Sequence, residues 1–174
     1  MNIAILIASF PPGPASGAEL QAQAWAEQLG SRHNVTVISR REPRTLPLRE
    51  DRPNYTVMRT DDTPPGSDAG LDATTDLIGT LDEKPDLLLC FMTDAAGLVG
   101  VGVGRRLGIP AVVWIRAEGE YQLEDEHQRR VIPAVWEQAD GVLVQSEIAA
   151  SDLLAELQRV APASVPVIRP KLLV

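Results

Sequence analysis

Cysteine is nearly missing from this sequence: Cys90 is the single one in 174 residues. One thiol excludes a disulfide framework and a cysteine zinc site within the chain. Histidine is almost as scarce, and His33 and His127 stand far apart with no H-E-x-x-H or other zinc spacing. Aromatic residues make up only 4% of the chain, so the core has to be mainly aliphatic. Positive charge is in deficit, since 16 Lys and Arg against 24 Asp and Glu give a formal net charge of −8. Phosphate backbones need a basic footprint, so nucleic acid is excluded as a main partner and an anionic membrane is disfavoured. No apolar run approaches membrane length, and the opening Met1 to Ala8 lacks a basic flank and a signal peptide's length. A cytoplasmic protein is expected. The local run of Arg40, Arg41 and Arg44 leaves association with a membrane surface open.

What is present is a packed-core composition, 44% apolar and 23% charged, arranged as short apolar runs between helical stretches. Ile3 to Ala8 reads as a strand buried on both faces. A Pro/Gly/Ser loop over Ser9 to Ser16 follows. Ala18, Ala22, Trp25 and Leu29 then mark one face of a helix that Gly30 stops. Val35 to Ile38, Tyr55 to Met58, Leu87 to Phe91, Ala111 to Ile115 and Gly141 to Val144 read as further strands, with Val165 to Ile168 as a last one. Residues 40 to 53 read as a surface loop. Helices are expected over Leu71 to Leu81 and Ala95 to Leu107, along the stripe Ile132, Val135, Trp136 and Ala139, and from a Ser146 cap to Leu157. The alternation predicts an α/β fold: one doubly wound, Rossmann-like parallel sheet of six or seven strands with helices on both faces, as a single domain over 1–174. Ligands of such sheets bind beyond the carboxyl ends of the strands, at the switch point.

The residues just after each strand are therefore the functional candidates. The turn Ser16-Gly17-Ala18 opens the first helix, where free N–H groups and the helix dipole suit a phosphate. It is neither a P-loop nor G-x-G-x-x-G, which weakens a nicotinamide or flavin reading. Its plain alternative is a proline-stiffened turn. Asp94 follows the Leu87 strand, as a cleft residue or a helix cap. Arg116 and Glu118 end the Ala111 strand, as a clamp for an anionic or hydroxyl-rich ligand or as a solvated ion pair. Ser146 reads as a cap, since no G-x-S-x-G surrounds it. Gly97, Gly100, Gly104 and Gly108 share one helical face and read as a close-packing surface, at about 1 kcal/mol of helix propensity each. Cys90 reads as an inert core thiol.

Taken in order, several segments resemble one family. These are the Ile3 strand, Phe10-Pro11-Pro12, Ser16-Gly17-Ala18-Glu19, Arg32-His33-Asn34-Val35-Thr36-Val37, Pro85-Asp86-Leu87-Leu88, Leu107-Gly108-Ile109-Pro110 and Ala139 to Glu147. The chain resembles the N-terminal domain of the GT-B-fold, family-4-like retaining glycosyltransferases along nearly its whole length. The resemblance implies sugar transfer with retention from a nucleotide sugar, UDP- or GDP-linked, to a sugar-containing acceptor, with no bound cofactor or metal. It puts Ser16, Gly17 and Ala18 at the donor diphosphate or reacting sugar, and Asp94, Arg116, Glu118 and Ser146 near the acceptor cleft. Ser16 replaces the first glycine of the family's Gly-Gly pair. Arg116 stands where many members carry a catalytic histidine, so no catalytic residue is assigned. The family's C-terminal donor-binding domain is expected to lie outside these 174 residues. The other reading is a non-catalytic, Rossmann-like subunit that recruits a separate catalytic chain.

Overall fold

The computed structural model describes residues 1–61, 66–115, 126–160 and 172–173. Its elements alternate: β1 (Asn2–Leu6), α1 (Gly17–Gly30), β2 (Asn34–Arg40), β3 (Arg49–Asp51), β4 (Thr56–Thr60), α2 (Asp68–Gly79), β5 (Leu87–Phe91), α3 (Leu98–Leu107), β6 (Ala111–Trp114), α4 (Glu126–Gln138), β7 (Gly141–Leu143), α5 (Glu147–Val160) and β8 (Leu172–Leu173). A kinked turn, Thr93–Gly97, with Asp94 at φ −65° and ψ −108°, joins β5 to α3.

The strands form one sheet in the order β3-β4-β2-β1-β5-β6-β7-β8. Seven run parallel, and β3 is antiparallel to β4 at the edge. The parallel count is the upper figure of the expectation; the antiparallel strand lies inside what reads as a surface loop over 40 to 53. Arg49 and Asp51 point outward and Glu50 is half-buried. A three-residue edge strand of charged side chains carries no apolar alternation to betray it, and such charge is how edges resist further pairing. The expected last strand, Val165 to Ile168, lies outside the described residues.

The central strands are buried on both faces, which is why they read as continuous aliphatic runs. Ile3, Ile5, Val35, Val37 and Leu89 pack toward α1, whose Ala18, Ala22 and Ala26 are buried against them. Ala4, Leu6, Ile38, Leu88 and Cys90 pack on the other face, with Val101 and Val103 of α3 and Val135 of α4. The small residues of α1 and α3 bring helix backbone close to sheet. A Cβ on Gly100 would overlap Cys90 Sγ, and one on Gly104 would come within 2.6 Å of Ile109 O.

Three local expectations are corrected. Gly30 is the last helical residue of α1 and not a left-handed stop: Ser31 caps the helix, and Gly30 is bare because the Asn54 carbonyl fills the space of a side chain. Gly108 leaves the packing face and takes the left-handed C-cap of α3, with φ 64°. Finally, α2 begins earlier than Leu71, because the Ser67 hydroxyl accepts from Gly70 N at 3.1 Å.

Candidate functional site

The strand order reverses between β1 and β5, so the switch point of the sheet lies at their carboxyl ends. Two segments flank it: the β1–α1 loop and the turn that follows β5. The loop's base is buried at Phe10, while Pro14 to Gly17 are exposed. Ser9 Oγ donates to Pro14 O at 2.6 Å, and Gly13 N donates to Phe10 O at 3.0 Å.

Ser16 is the N-cap of α1, in a capping box with Glu19. The Ser16 N–H and hydroxyl both donate to Glu19 Oε2 at 2.6 Å, and Ala18 N donates to Ser16 Oγ at 3.4 Å. Two of the three predicted contact residues thus have local partners, and the Glu19 carboxylate stands at the helix N-terminus, where the dipole favours it. Gly17 is exposed at the first helical position, whose N–H has no intrahelical acceptor.

Across the switch point, Met92 carries φ 75° and ψ 150°, a region nearly reserved for glycine. This twist throws the chain into the kinked turn Thr93–Gly97. The turn folds back so tightly that a Cβ on Gly97 would lie 2.9 Å from Met92 O. Behind it, Trp136 Nε1 donates to Thr93 Oγ1 at 3.0 Å, both groups fully buried. Asp94 is exposed in the turn, and no side-chain hydrogen bond caps it. The cap reading of Asp94 is therefore corrected: Met92 holds the capping position, and Asp94 is exposed.

Farther along that edge, Ser146 caps α5, accepting from Ala149 N at 3.1 Å, and it is exposed. Arg116 and Glu118 lie outside the described residues. On the α2–α3 face a small cavity of about 50 Å³, partly open to solvent, is lined by Leu6, Ile38, Ser39, Thr60, Thr74 and Ala96 among others. Ser39, Thr60 and Thr74 are buried, so the lining is apolar with a few hydroxyls. Cys90 is unreactive in kind: burial pushes its thiol up to about 12.

Reading the sequence missed three things. The few aromatics gather near this edge, with Trp25 stacked on Trp114 at 4.4 Å and Phe91 edge-on to both. The basic run is compensated, because Arg40 pairs with Glu42 at 3.4 Å and Arg41 pairs with Asp61. Most consequential is an ion network under the β1–α1 loop. Glu50 Oε1 accepts from Arg52 Nε at 2.8 Å, and its Oε2 accepts from Arg59 Nη2 at 2.9 Å. Both guanidinium groups also donate to Pro11 O, at 3.0 Å from Arg52 and 3.4 Å from Arg59. No sequence signal pairs residues 11, 50, 52 and 59, since only the sheet brings them together.

The chain matches the family model described as "Glycosyl transferase 4-like domain" over residues 16–171. No curated protein matches it in sequence. Among solved structures it is similar to sucrose-phosphate synthase from Thermosynechococcus elongatus, with TM-score 0.64 and 19% identity over 91% of this chain and 44% of that one. It is also similar to a UGT transferase from Siraitia grosvenorii in complex with UDP, with TM-score 0.58 and 16% identity over 98% and 47%. UDP-N-acetylglucosamine 2-epimerase from Rickettsia bellii is similar at TM-score 0.59 and 12% identity over 90% and 42%. The chain therefore spans less than half the length of each of these structures.

Proposed function

The chain belongs to the glycosyl transferase 4-like domain family, and from that premise we propose that it is the acceptor-side domain of a retaining glycosyltransferase using a UDP- or GDP-linked sugar. The observation that carries this reading is the family match over residues 16–171, on a fold that sets the N-terminus of α1, capped by Ser16, at the switch point of the sheet.

In this reading the Ser16-Gly17-Ala18 turn approaches the donor diphosphate. The positive end of α1 stabilises charge as it develops on the leaving group. With Ser16 engaged by Glu19, the Gly17 N–H is the donor left for a phosphate oxygen, while the Glu19 carboxylate limits how closely a second oxygen approaches. The acceptor lies along the later strands, among Asp94, Arg116, Glu118 and Ser146. The domain contributes positioning and electrostatics, and a second domain or chain completes the donor site. No residue of this chain is assigned as acid, base or nucleophile.

One observation supports the second reading, a subunit that recruits a separate catalytic chain. Leu20, Leu98 and Ile148 are exposed, Ile148 by 74%, and each stands in the first turns of a helix that follows a parallel strand. Covering these side chains with another domain or another protein would remove them from water.

The product of the native open reading frame is the material for the test. Incubated with a panel of UDP- and GDP-sugars and glycoside acceptors, it should release the nucleoside diphosphate and form a product of unchanged anomeric configuration. The 174-residue chain alone should show no robust turnover. A native product that neither binds nor cleaves any sugar nucleotide, yet holds a separate protein tightly, would replace the first reading with the second. Epimerisation of the sugar nucleotide without an acceptor would overturn both.

A further inference from the structure

We propose that Glu50, Arg52 and Arg59 are positioning residues: a partly buried ion network that fixes the Pro11 carbonyl and so sets where the β1–α1 loop presents the first turn of α1. The proposal rests on the glycosyl-transfer reading of that turn. None of the three is assigned a contact with donor or acceptor.

The geometry is that of a clamp. Glu50 divides its two oxygens between the two guanidinium groups, which holds the forks in a fixed relation. Both forks then converge on one main-chain acceptor, Pro11 O. Each fork has a further anchor. Arg59 Nη1 donates to Pro47 O at 3.1 Å, and Arg52 Nη1 donates to Tyr55 Oη at 3.3 Å. The Arg52 guanidinium also lies 5.9 Å from the Phe10 ring centroid and 5.8 Å from that of Tyr55. The loop is thus held from β3, β4 and the β2–β3 connection at once. From the same side, the Glu42 carbonyl fills the space that a side chain on Gly13 would need.

Stability alone is a poor reason for such a device. The Arg59 side chain is completely buried, and its Nε has no hydrogen-bond partner among the described residues. A buried guanidinium loses its hydration, and an apolar residue of similar volume serves the fold as well or better. What an apolar residue does not supply is a directional hold on a carbonyl oxygen. The loop needs one, because its own internal bonds are few and its tip, Pro14 to Gly17, is exposed. A turn that must meet a diphosphate with its backbone tolerates little displacement, since a shift of about 1 Å costs about a hundredfold in rate.

The test uses the native open-reading-frame product and two variants, Arg52→Lys and Glu50→Gln. Arg52 and Glu50 are partly exposed, with 21% and 28% of their side chains accessible, so these variants are less disruptive than changing Arg59. Each is compared with wild type by transfer kinetics and by amide hydrogen exchange over residues 13–20. Each variant should lose kcat by roughly tenfold with acceptor KM unchanged, and residues 13–18 should exchange faster. Because the three groups act as one, the double variant should lose little more than either single one. Folded variants with wild-type kcat and wild-type exchange in the loop would overturn the network's positioning role. A fall in kcat that parallels a fall in folded fraction, with loop exchange unchanged, would overturn it too. Faster loop exchange in the variants of a protein whose wild type transfers no sugar would leave the clamp standing and remove the glycosyl-transfer reading instead.

Discussion

Among the described residues, Met92 alone combines a side chain with a positive φ. Holding it there costs about 1–3 kcal/mol, and the strain falls at the switch point, where β5 ends and the Asp94 turn begins. The strand Leu87 to Phe91 was legible from its aliphatic run, but this twist was not. Nothing in the letters Phe91-Met92-Thr93 separates a strained backbone from an ordinary one. Cys90, two residues earlier, was legible as inert, and the reason is now physical. Its thiol is pushed up to about 12 by burial, from an ordinary value of 9.0. The folded state therefore keeps its proton where the unfolded chain has lost it. That contribution is whole below pH 9 and declines as pH rises toward about 12. Burial raises Tyr55 as well, with the same sign. Urea unfolding should show the wild type losing on the order of 2 kcal/mol more than Cys90→Ala between pH 9 and 10.5. Parallel pH profiles for the two proteins would contradict this account.

At the scale of elements, the helices were read more reliably than what joins them. The glycine face of α3 was legible from spacing alone, because three- and four-residue steps return to one side of a helix. The structure adds the partner: Gly100 lies against Cys90 Sγ, with no room for a methyl group. Gly100→Ala gains helix propensity yet should destabilise the chain by about 1–3 kcal/mol through overpacking. Cys90→Ala in the same chain removes the obstructing sulfur, so the double-mutant cycle should show a favourable coupling of about 0.5–3 kcal/mol in thermal or urea unfolding. Purely additive losses would mean that α3 meets β5 in some other way. The short edge strand β3 was not legible, and with it went the clamp on the β1–α1 loop. A strand of Arg49, Glu50 and Asp51 is set by pairing with Met58, Val57 and Thr56, not by its own propensity.

For the molecule as a whole, charge and topology matter most. The net charge of −8 opposes an anionic bilayer, and within the basic run Arg40 is paired with Glu42 and Arg41 with Asp61. Among the described residues no helix is long and apolar enough to cross a membrane. At about 0.15 M salt, where screening acts within about 8 Å, the chain should not sediment with phosphatidylserine vesicles. Sedimentation that fades when Arg40 and Arg41 are changed to Gln would show that the pairs open at a surface. The strand order places the two flanks of the candidate site, Gly17 and Asp94, on loops that are far apart in sequence and leave neighbouring strands.

The α/β class, the parallel strands, the helix cap at Ser146 and the α1 turn as a candidate site were all present in the sequence. These depend on local propensity, on periodicity and on short spacings, which a chain carries residue by residue. The strained Met92, the exposed state of Asp94, the gathered aromatics and the Glu50–Arg52–Arg59 hold on Pro11 were decided by the fold. Each depends on which strands become neighbours, and a buried polar contact across tens of residues leaves no periodic trace in the chain that makes it.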